Sequence, residues 1–359
     1  MKKLIVWICL LPNLALAQQD SLDIKIGQMI MMGLDDFKKM EADQPMFRSI
    51  ENGVIGGVIL FGKHVNKRNP SKHLIKITSH IQSIAPIPAF IAIDEEGGKV
   101  NRLKPKYGFP KTVSAQYLGD LDDTDSTRHY AASTARIMND LGINMNLAPN
   151  VDVNINTENP VIGLKERSYS EDYREVSKHA GIVVEEQFSK EIINVLKHFP
   201  GHGSSASDTH LGIADVSDSW KWEELFPYRT LIDAGNVQAI MTAHIVNERL
   251  DETRKPATLS KKIMTELLRE FMGFKGVIVS DDMQMHAISK HFGFEEAIVL
   301  SINAGVDILM FANNTELTEK ITPEYIHGVI KESVASGKIS SERIDESYRR
   351  IMNLKKELN

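Results

Sequence analysis

The stretch INVLKHFPGHGSSASDTH, from Ile193 to His210, places reactive side chains directly after an apolar run. INVL has the largely continuous apolar character of a strand that is buried on both faces, as in a parallel sheet. Lys197 and His198 stand where such a strand would end, and Asp208 and two further histidines follow in the same segment. The stretch therefore predicts a parallel strand with polar groups at its carboxyl end.

Seven other short apolar runs recur along the chain, separated by segments with helical spacing. They are MIMMGL (from Met29), VIGGVILF (from Val54), AFIAID (from Ala89), NMNLAP (from Asn144), AIMTAHI (from Ala239), GVIVSD (from Gly276) and VDILMF (from Val306). The clearest amphipathic helices between them are 126–142, 171–188, 260–273 and 295–305. Eight strands alternating with helices predict an α/β protein with a (β/α)8 TIM-type barrel in a single domain. A doubly wound open sheet is the alternative, but no G-x-G-x-x-G follows an early strand.

The first 17 residues have the pattern of a secretory signal peptide. Lys2 and Lys3 precede an apolar stretch, and Ala15-Leu16-Ala17 supplies small residues for cleavage before Gln18. Because the apolar stretch is too short for an ordinary transmembrane helix, we expect an exported protein, periplasmic or secreted. Its catalytic domain would span 18–359 and contain no transmembrane segment.

Composition limits the classes of function further. Cys9 is the only cysteine and would be lost with the leader, so the mature fold would use neither disulfides nor cysteine-based zinc sites. The formal net charge is −6, and no lysine- or arginine-rich block offsets it, which argues against a nucleic-acid partner. We expect a monomer that needs no cofactor.

Several predicted strands end in polar or ionisable residues: Asp94, Lys197 with His198, Thr242 with His244, and Asp281. Barrel enzymes build their sites from the carboxyl ends of the strands, so this is where reactive groups should gather. A carboxylate at Asp281 can act as a nucleophile, a general base or a metal ligand. Asp282 offers the same chemistry, but side chains alternate along a strand, and we favour Asp281 as the inward one.

Two further polar segments lie beside these strand ends. Asp208 and His210 form a D-x-H pair, in which the carboxylate would orient the imidazole and stabilise its protonated form, so that His210 could donate a proton near neutral pH. In IDEEGGKVNRL, from Ile93, Gly97-Gly98 permits a tight turn that would bring Lys99 or Arg102 back toward Asp94. Carboxylates paired with basic side chains suit the binding of sugar hydroxyls.

A metal site is the competing interpretation of the histidine-rich stretch. His198, His202, Asp208, His210 and His244 could supply nitrogen and oxygen ligands. However, His198 and His202 flank a Pro-Gly pair instead of lying one helical turn apart, and Lys197 would place a positive charge beside the cation. We therefore predict no metal.

Together these segments resemble glycoside hydrolase family 3, in its β-N-acetylglucosaminidase branch, from about Ile26 to Leu358. KHFPGHG followed by D-T-H is similar to that branch's K-H-F-P-G-H-G…D-S-H, and IDEEGGKVNRL is similar to D-x-E-G-G-x-V-x-R. IMTAHI, PATLS and GVIVSDDMQM follow in the expected order, and RIDESYRRIMNLK resembles the family's closing helix.

The resemblance implies a retaining, metal-independent exo-β-N-acetylglucosaminidase on a (β/α)8 barrel. Asp281 matches the family's nucleophile, and His210 with its partner Asp208 matches the acid/base. The residues that match the family's contacts to N-acetylglucosamine are Asp94, Arg102, Arg167, Lys197 and His198.

The chain departs from the family pattern in three ways. The family's G-H-G-D-T is replaced by a loop with Gly203-Ser204-Ser205, and NPVIGLKERSYS carries two extra residues before Arg167. Lys165 therefore occupies the usual spacing, while Arg167 keeps the R-S-aromatic context. The leader is the third departure, since many single-domain relatives act in the cytosol; it points to cell-wall fragments or other external N-acetylglucosaminides. A non-catalytic sugar- or muropeptide-binding protein and a phosphorylase are the alternatives.

Overall fold

The computed structural model describes residues 21–35, 44–65, 68–208, 212–289, 292–314 and 320–358. The predicted leader and the predicted acid/base His210 lie outside these ranges. Within them, no helix combines the length and the apolar character that a bilayer-crossing segment needs.

Eight parallel strands close into a barrel, as the apolar runs predict. In chain order they are β1 (Ile30–Gly33), β2 (Gly57–Leu60), β3 (Phe90–Ile93), β4 (Met145–Asn146), β5 (Ile193–Phe199), β6 (Ala239–Thr242), β7 (Val277–Asp282) and β8 (Ile308–Phe311). Each strand pairs in parallel with its sequence neighbours, and β8 closes the barrel by pairing Leu309 with Ile30 of β1. The eight predicted strands and the barrel are confirmed, and the open sheet is excluded.

Helices follow every barrel strand. The α-helices are Leu22–Gln28, Pro45–Glu51, Gly62–Val65, Pro70–Ile84, Ala115–Leu121, Thr124–Asp140, Tyr173–Phe188, Phe226–Ala234, His286–Ser289, Phe294–Ala304, Pro323–Ala335 and Ser341–Lys355. Short 3-10 turns occupy Pro105–Tyr107, Gly163–Lys165, Trp222–Leu225 and Ala257–Leu259. The four predicted helices are present, although the third, Lys262–Phe271, is wound as a π-helix.

The loops that follow the eight strands gather at one end of the barrel, where a site can form. Each helix returns the chain from the carboxyl end of one strand to the amino end of the next, so the loops after the strands all meet at the carboxyl-end rim. Two short strands, Ala214–Asp215 and Ile245–Val246, pair beside this rim after β5 and β6. The rim therefore collects segments from all eight strands.

The last helix, Ser341–Lys355, is bound to the barrel near the amino end of β8, opposite the rim. Asp307, fully buried before β8, accepts hydrogen bonds from Arg343 (3.2 Å) and Arg350 (3.1 Å) of that helix. It also pairs with the buried Arg269 of the π-helix. Burial opposes ionisation, but the three guanidinium groups hold the pKa of Asp307 below its usual range. A single carboxylate thus fastens two helices to the barrel.

We predict that Asp307→Asn lowers the free energy of unfolding by about 3–5 kcal/mol, because it leaves buried arginine charges without their partner. Urea denaturation measures the loss. Asp233→Asn is the matched control, since Asp233 forms an exposed pair with Arg229 and should change little. Equal and small shifts in the two variants would contradict the role of Asp307.

Candidate active site

The turn after β3 returns a basic side chain to the rim. Gly97 and Gly98 adopt positive φ angles of 98° and 55°, and the buried Glu95 accepts hydrogen bonds from the backbone N–H of Arg102 at 2.8 Å. Arg102 consequently lies 3.4 Å from Asp94 through its guanidinium. Lys99 instead points away and pairs with the half-exposed Glu166, so Arg102 is the residue that the turn brings back.

A chain of ion pairs crosses the rim from β3 to β5. The ammonium of Lys197, only 2% exposed, lies 2.7 Å from Asp94 Oδ1 and 2.6 Å from Glu96 Oε1. Glu96 also accepts two hydrogen bonds from Arg167, at 2.7 and 2.9 Å. Burial alone would raise the pKa of Glu96, but the charges of Arg167 and Lys197 hold it far below its usual range. Glu96 therefore remains ionised at neutral pH.

The segment after β4 delivers Arg167, and not Lys165, to this cluster. Residues Gly163–Lys165 form a 3-10 turn that ends at Glu166 with a positive φ of 59°. After this turn, Arg167 points inward and donates to the carbonyl of Val161 at 2.9 Å as well as to Glu96. Lys165 is exposed. The two extra residues before Arg167 are thus accommodated in the turn.

His198 connects Arg167 of this ion-pair network to Asp152. Its Nε2 lies 3.3 Å from Arg167, which can only donate, so Nε2 is the acceptor and Nδ1 carries the proton. That proton is donated to Asp152 Oδ2 at 2.7 Å. Both ring nitrogens of His198 are therefore engaged with protein partners, which weakens the proposal that this histidine is a metal ligand.

Asp152 also organises the backbone of the histidine-rich stretch. Its Oδ1 accepts from the N–H of His198 at 3.1 Å and from the N–H of His202 at 2.8 Å. Asp152 is fully buried, which raises its pKa, but His198 and His202 together more than offset this and hold the pKa below its usual range. Burial lowers the pKa of His202 to about 4, so this ring is neutral at physiological pH.

Asp281 lies at the carboxyl end of β7, and the end of the neighbouring strand β6 contacts its backbone. Its backbone N–H lies 3.4 Å from the hydroxyl of Thr242, which is 2.7 Å from the hydroxyl of Thr258. His244 bridges Thr258 and the carbonyl of Asp282, at 2.7 and 3.0 Å. The motifs IMTAHI and PATLS therefore meet behind Asp281 and fix the strand end that carries it.

Asp282 stabilises the end of β7 by accepting hydrogen bonds from two backbone N–H groups. Its Oδ1 accepts hydrogen bonds from the backbone N–H groups of Gln284 at 3.1 Å and Ala312 at 3.0 Å. These contacts tie the end of β7 to the segment after β8.

The structure brings five predicted residues into one network: Asp94, Arg102, Arg167, Lys197 and His198. Asp281 lies on the same rim, and Asp208 is half-buried on the loop after β5. The sequence analysis missed Glu96, Asp152 and Glu224, a buried glutamate beside this loop. Glu96 lies two residues after Asp94 in the motif IDEEGGKVNRL, and Asp152 follows a predicted strand. Position could therefore have indicated both.

Comparison with known proteins identifies the family. The model of the glycosyl hydrolase family 3 N-terminal domain matches residues 21–354, and the chain belongs to this family. The resemblance drawn from the motifs is confirmed.

Three relatives illustrate the likeness. The chain is 35% identical to β-hexosaminidase A of Pseudoalteromonas piscicida over 85% of its length and 54% of that protein. It is 31% identical to β-hexosaminidase LpqI of Mycobacterium tuberculosis over 92% of its length and 82% of that protein. A solved family 3 β-N-acetylglucosaminidase from Paenibacillus sp. str. FPU-7 matches with a TM-score of 0.85 and 33% identity, covering 94% of this chain and 62% of that one. The chain thus spans only about half to two thirds of some of its relatives.

Proposed function

We propose that this family 3 member is a retaining exo-β-N-acetylglucosaminidase. The observation that carries the proposal is the network at the rim, in which the carboxylate of Asp94 lies against the cations of Lys197 and Arg102. Sugar hydroxyls both donate and accept hydrogen bonds, so adjacent carboxylate and cationic groups can bind neighbouring hydroxyls on one ring. The β-hexosaminidase names of the relatives support the same substrate class.

In the proposed mechanism, Asp281 attacks the anomeric carbon while His210 donates a proton to the departing oxygen. The bond from the anomeric carbon to the leaving group breaks, and a glycosyl-enzyme ester forms on Asp281. His210, now neutral, takes a proton from water, whose oxygen then displaces Asp281 from the sugar. Two displacements at one carbon retain its configuration. Asp208 would orient His210 and stabilise its charged form.

We also propose that the protein acts outside the cytoplasm. Residues 1–17 have the pattern of an export leader, and processing before Gln18 would release the barrel. Cell-wall fragments and chitooligosaccharides are the N-acetylglucosaminides that such a location would offer.

We predict that the protein cleaves chitobiose to free N-acetylglucosamine, in phosphate buffer and in phosphate-free buffer alike, and that a chelator leaves the rate unchanged. Product analysis by chromatography checks this. A sugar phosphate as the main product would favour a phosphorylase, and loss of activity on chelation would favour a metal hydrolase. Binding of the sugar with no release would favour the non-catalytic alternative.

The nucleophile assignment has a matched test in two adjacent residues. We predict that Asp281→Asn abolishes turnover of an aryl β-N-acetylglucosaminide, because an amide is a poor nucleophile. Asp282→Asn loses the same charge but keeps an oxygen that can accept from Gln284 and Ala312, so its activity should stay near that of the wild type. The reverse order of the two variants would move the nucleophile to Asp282.

A second pair of variants tests which of two basic residues the site requires. We predict that Arg167→Ala lowers kcat/KM by about 10–100-fold, the effect expected for a lost charge-assisted hydrogen bond. Lys165→Ala should have almost no effect, because Lys165 is exposed and outside the network. Steady-state kinetics on an aryl β-N-acetylglucosaminide compare them, and a larger loss in Lys165→Ala would transfer the role to the residue at the family's usual spacing.

A further inference from the structure

Three consecutive backbone amides in the loop after β5 point at two buried acidic side chains, Asp152 and Glu224. The N–H of His202 donates to Asp152 Oδ1 at 2.8 Å, and the N–H of Gly203 donates to Glu224 Oε2 at 2.8 Å. The N–H of Ser204 lies 3.4 Å from the same oxygen of Glu224. A carboxyl group accepts hydrogen bonds from backbone N–H groups whether it is charged or neutral, so this arrangement fixes the start of the loop.

Glu224 reaches the loop from a separate element, the 3-10 turn Trp222–Leu225. Its side chain is fully buried, and it packs directly on Gly201, which has a positive φ of 116°. A Cβ atom at position 201 would lie 2.5 Å from the Cβ of Glu224, so a glycine is required there for the close approach. The first glycine of KHFPGHG, Gly201, thus leaves space for the side chain of Glu224, which lies outside the motif.

Other contacts hold the same short segment in place. Trp220, just before the turn, donates through its indole N–H to the carbonyl of Pro200 at 3.1 Å. Asn159 donates to the carbonyl of His202 at 2.7 Å, and the N–H of Asn156 donates to the carbonyl of Gly203 at 3.1 Å. The carbonyls of His202 and Gly203 are therefore held by the segment after β4, while the amides of Gly203 and Ser204 depend on Glu224.

We propose that Glu224 is a positioning residue for the proposed acid/base: by binding the amides of Gly203 and Ser204, it fixes the start of the loop that leads to Asp208, two residues before His210 in the sequence. The inference rests on the proposed function for the role of His210, but the contacts to the loop do not. Glu224 acts through the backbone and does not touch the sugar.

The protonation state of Glu224 decides which substitution preserves its role. Burial and the negative charge of Asp152, against the opposing hydrogen bonds from Ser204 and Gly203, raise the pKa of Glu224 to about 8. The carboxyl group is therefore mostly protonated at neutral pH. Glutamine matches it in size and charge and offers one oxygen to the two amides, whereas alanine leaves both amides buried without an acceptor.

The first measurement is hydrogen exchange of the backbone amides of Gly203 and Ser204, which needs no substrate. We expect Glu224→Ala to speed exchange at these amides by about tenfold or more, as loss of one hydrogen bond allows. Glu224→Gln should exchange like the wild type. Glu223→Ala is the matched control, since Glu223 is the exposed neighbour in the same turn. Unchanged exchange in Glu224→Ala would overturn the proposal.

The second measurement compares leaving groups by kcat/KM. An N-acetylglucosaminide of 2,4-dinitrophenol needs little help from an acid, whereas chitobiose needs a proton on the leaving oxygen. We expect Glu224→Ala to lose about 10²–10⁴-fold on chitobiose, the contribution of a general acid, and less than about tenfold on the dinitrophenyl glycoside. Glu224→Gln and Glu223→Ala should keep both rates within a few-fold.

The outcomes separate the two proposals. An equal loss on both substrates in a folded Glu224→Ala variant, or full activity on both, would overturn the positioning role. If the wild type cleaves neither substrate, the proposed hydrolase fails, and amide exchange still decides whether Glu224 holds the loop.

Discussion

The arrangement of the rim depends on one buried carboxylate, Glu96, between two cations. Lys197 and Arg167 come from β5 and from the segment after β4; without Glu96, Arg167 would lose its carboxylate partner and Lys197 would keep only Asp94. An uncompensated buried charge costs several kcal/mol, a large part of a typical free energy of unfolding. Pairing with Glu96 therefore fixes three segments relative to one another. It also leaves the side chains of Asp94 and Arg102 partly exposed, by 21% and 27%, at the surface of the network, where a polar ligand can reach them.

Asp152 and Glu224 show how two carboxyl groups can share one loop in opposite protonation states. Asp152 lies against the Nδ1–H of His198, which stabilises its charged form, whereas Glu224 has no basic side chain among its main interactions. The charge of Asp152 itself disfavours a second charge on Glu224, as expected for neighbouring acids. The loop thus receives two strong acceptors but only one buried negative charge. This division limits the desolvation cost of anchoring consecutive amides, because a neutral carboxyl group still accepts a hydrogen bond.

The sequence predicted the features that depend on local pattern. Continuous apolar runs identified all eight strands, because strands buried on both faces have no polar alternation to obscure them. Asp94, Lys197, His198 and Asp281 were found because they end such strands. Arg167 was reached only by family resemblance, since its approach depends on a turn with a positive φ at Glu166 that no residue type in the stretch requires. Glu224 had no signal at all: a glutamate in WEEL looks like an ordinary helix-start residue, and only the packing against Gly201 shows that it is buried.

The anchoring of the loop through its backbone explains why the departure at Ser204 and Ser205 is compatible with the same site. Glu224 contacts the N–H groups of Gly203 and Ser204, and every residue except proline supplies that group. The hydroxyl of Ser204 also interacts with Glu224 and the side chain is only 2% exposed, so another residue at this position must fit the space and loses that side-chain contact, but can still supply the backbone contact. Gly203 has no such freedom, because a Cβ atom there would lie 1.7 Å from the carbonyl oxygen of Val153. The glycines of KHFPGHG are thus fixed by close backbone and side-chain approach, whereas the two serines that follow them are held by hydroxyl contacts, Ser204 to Glu224 and Ser205 to the backbone of Ser207.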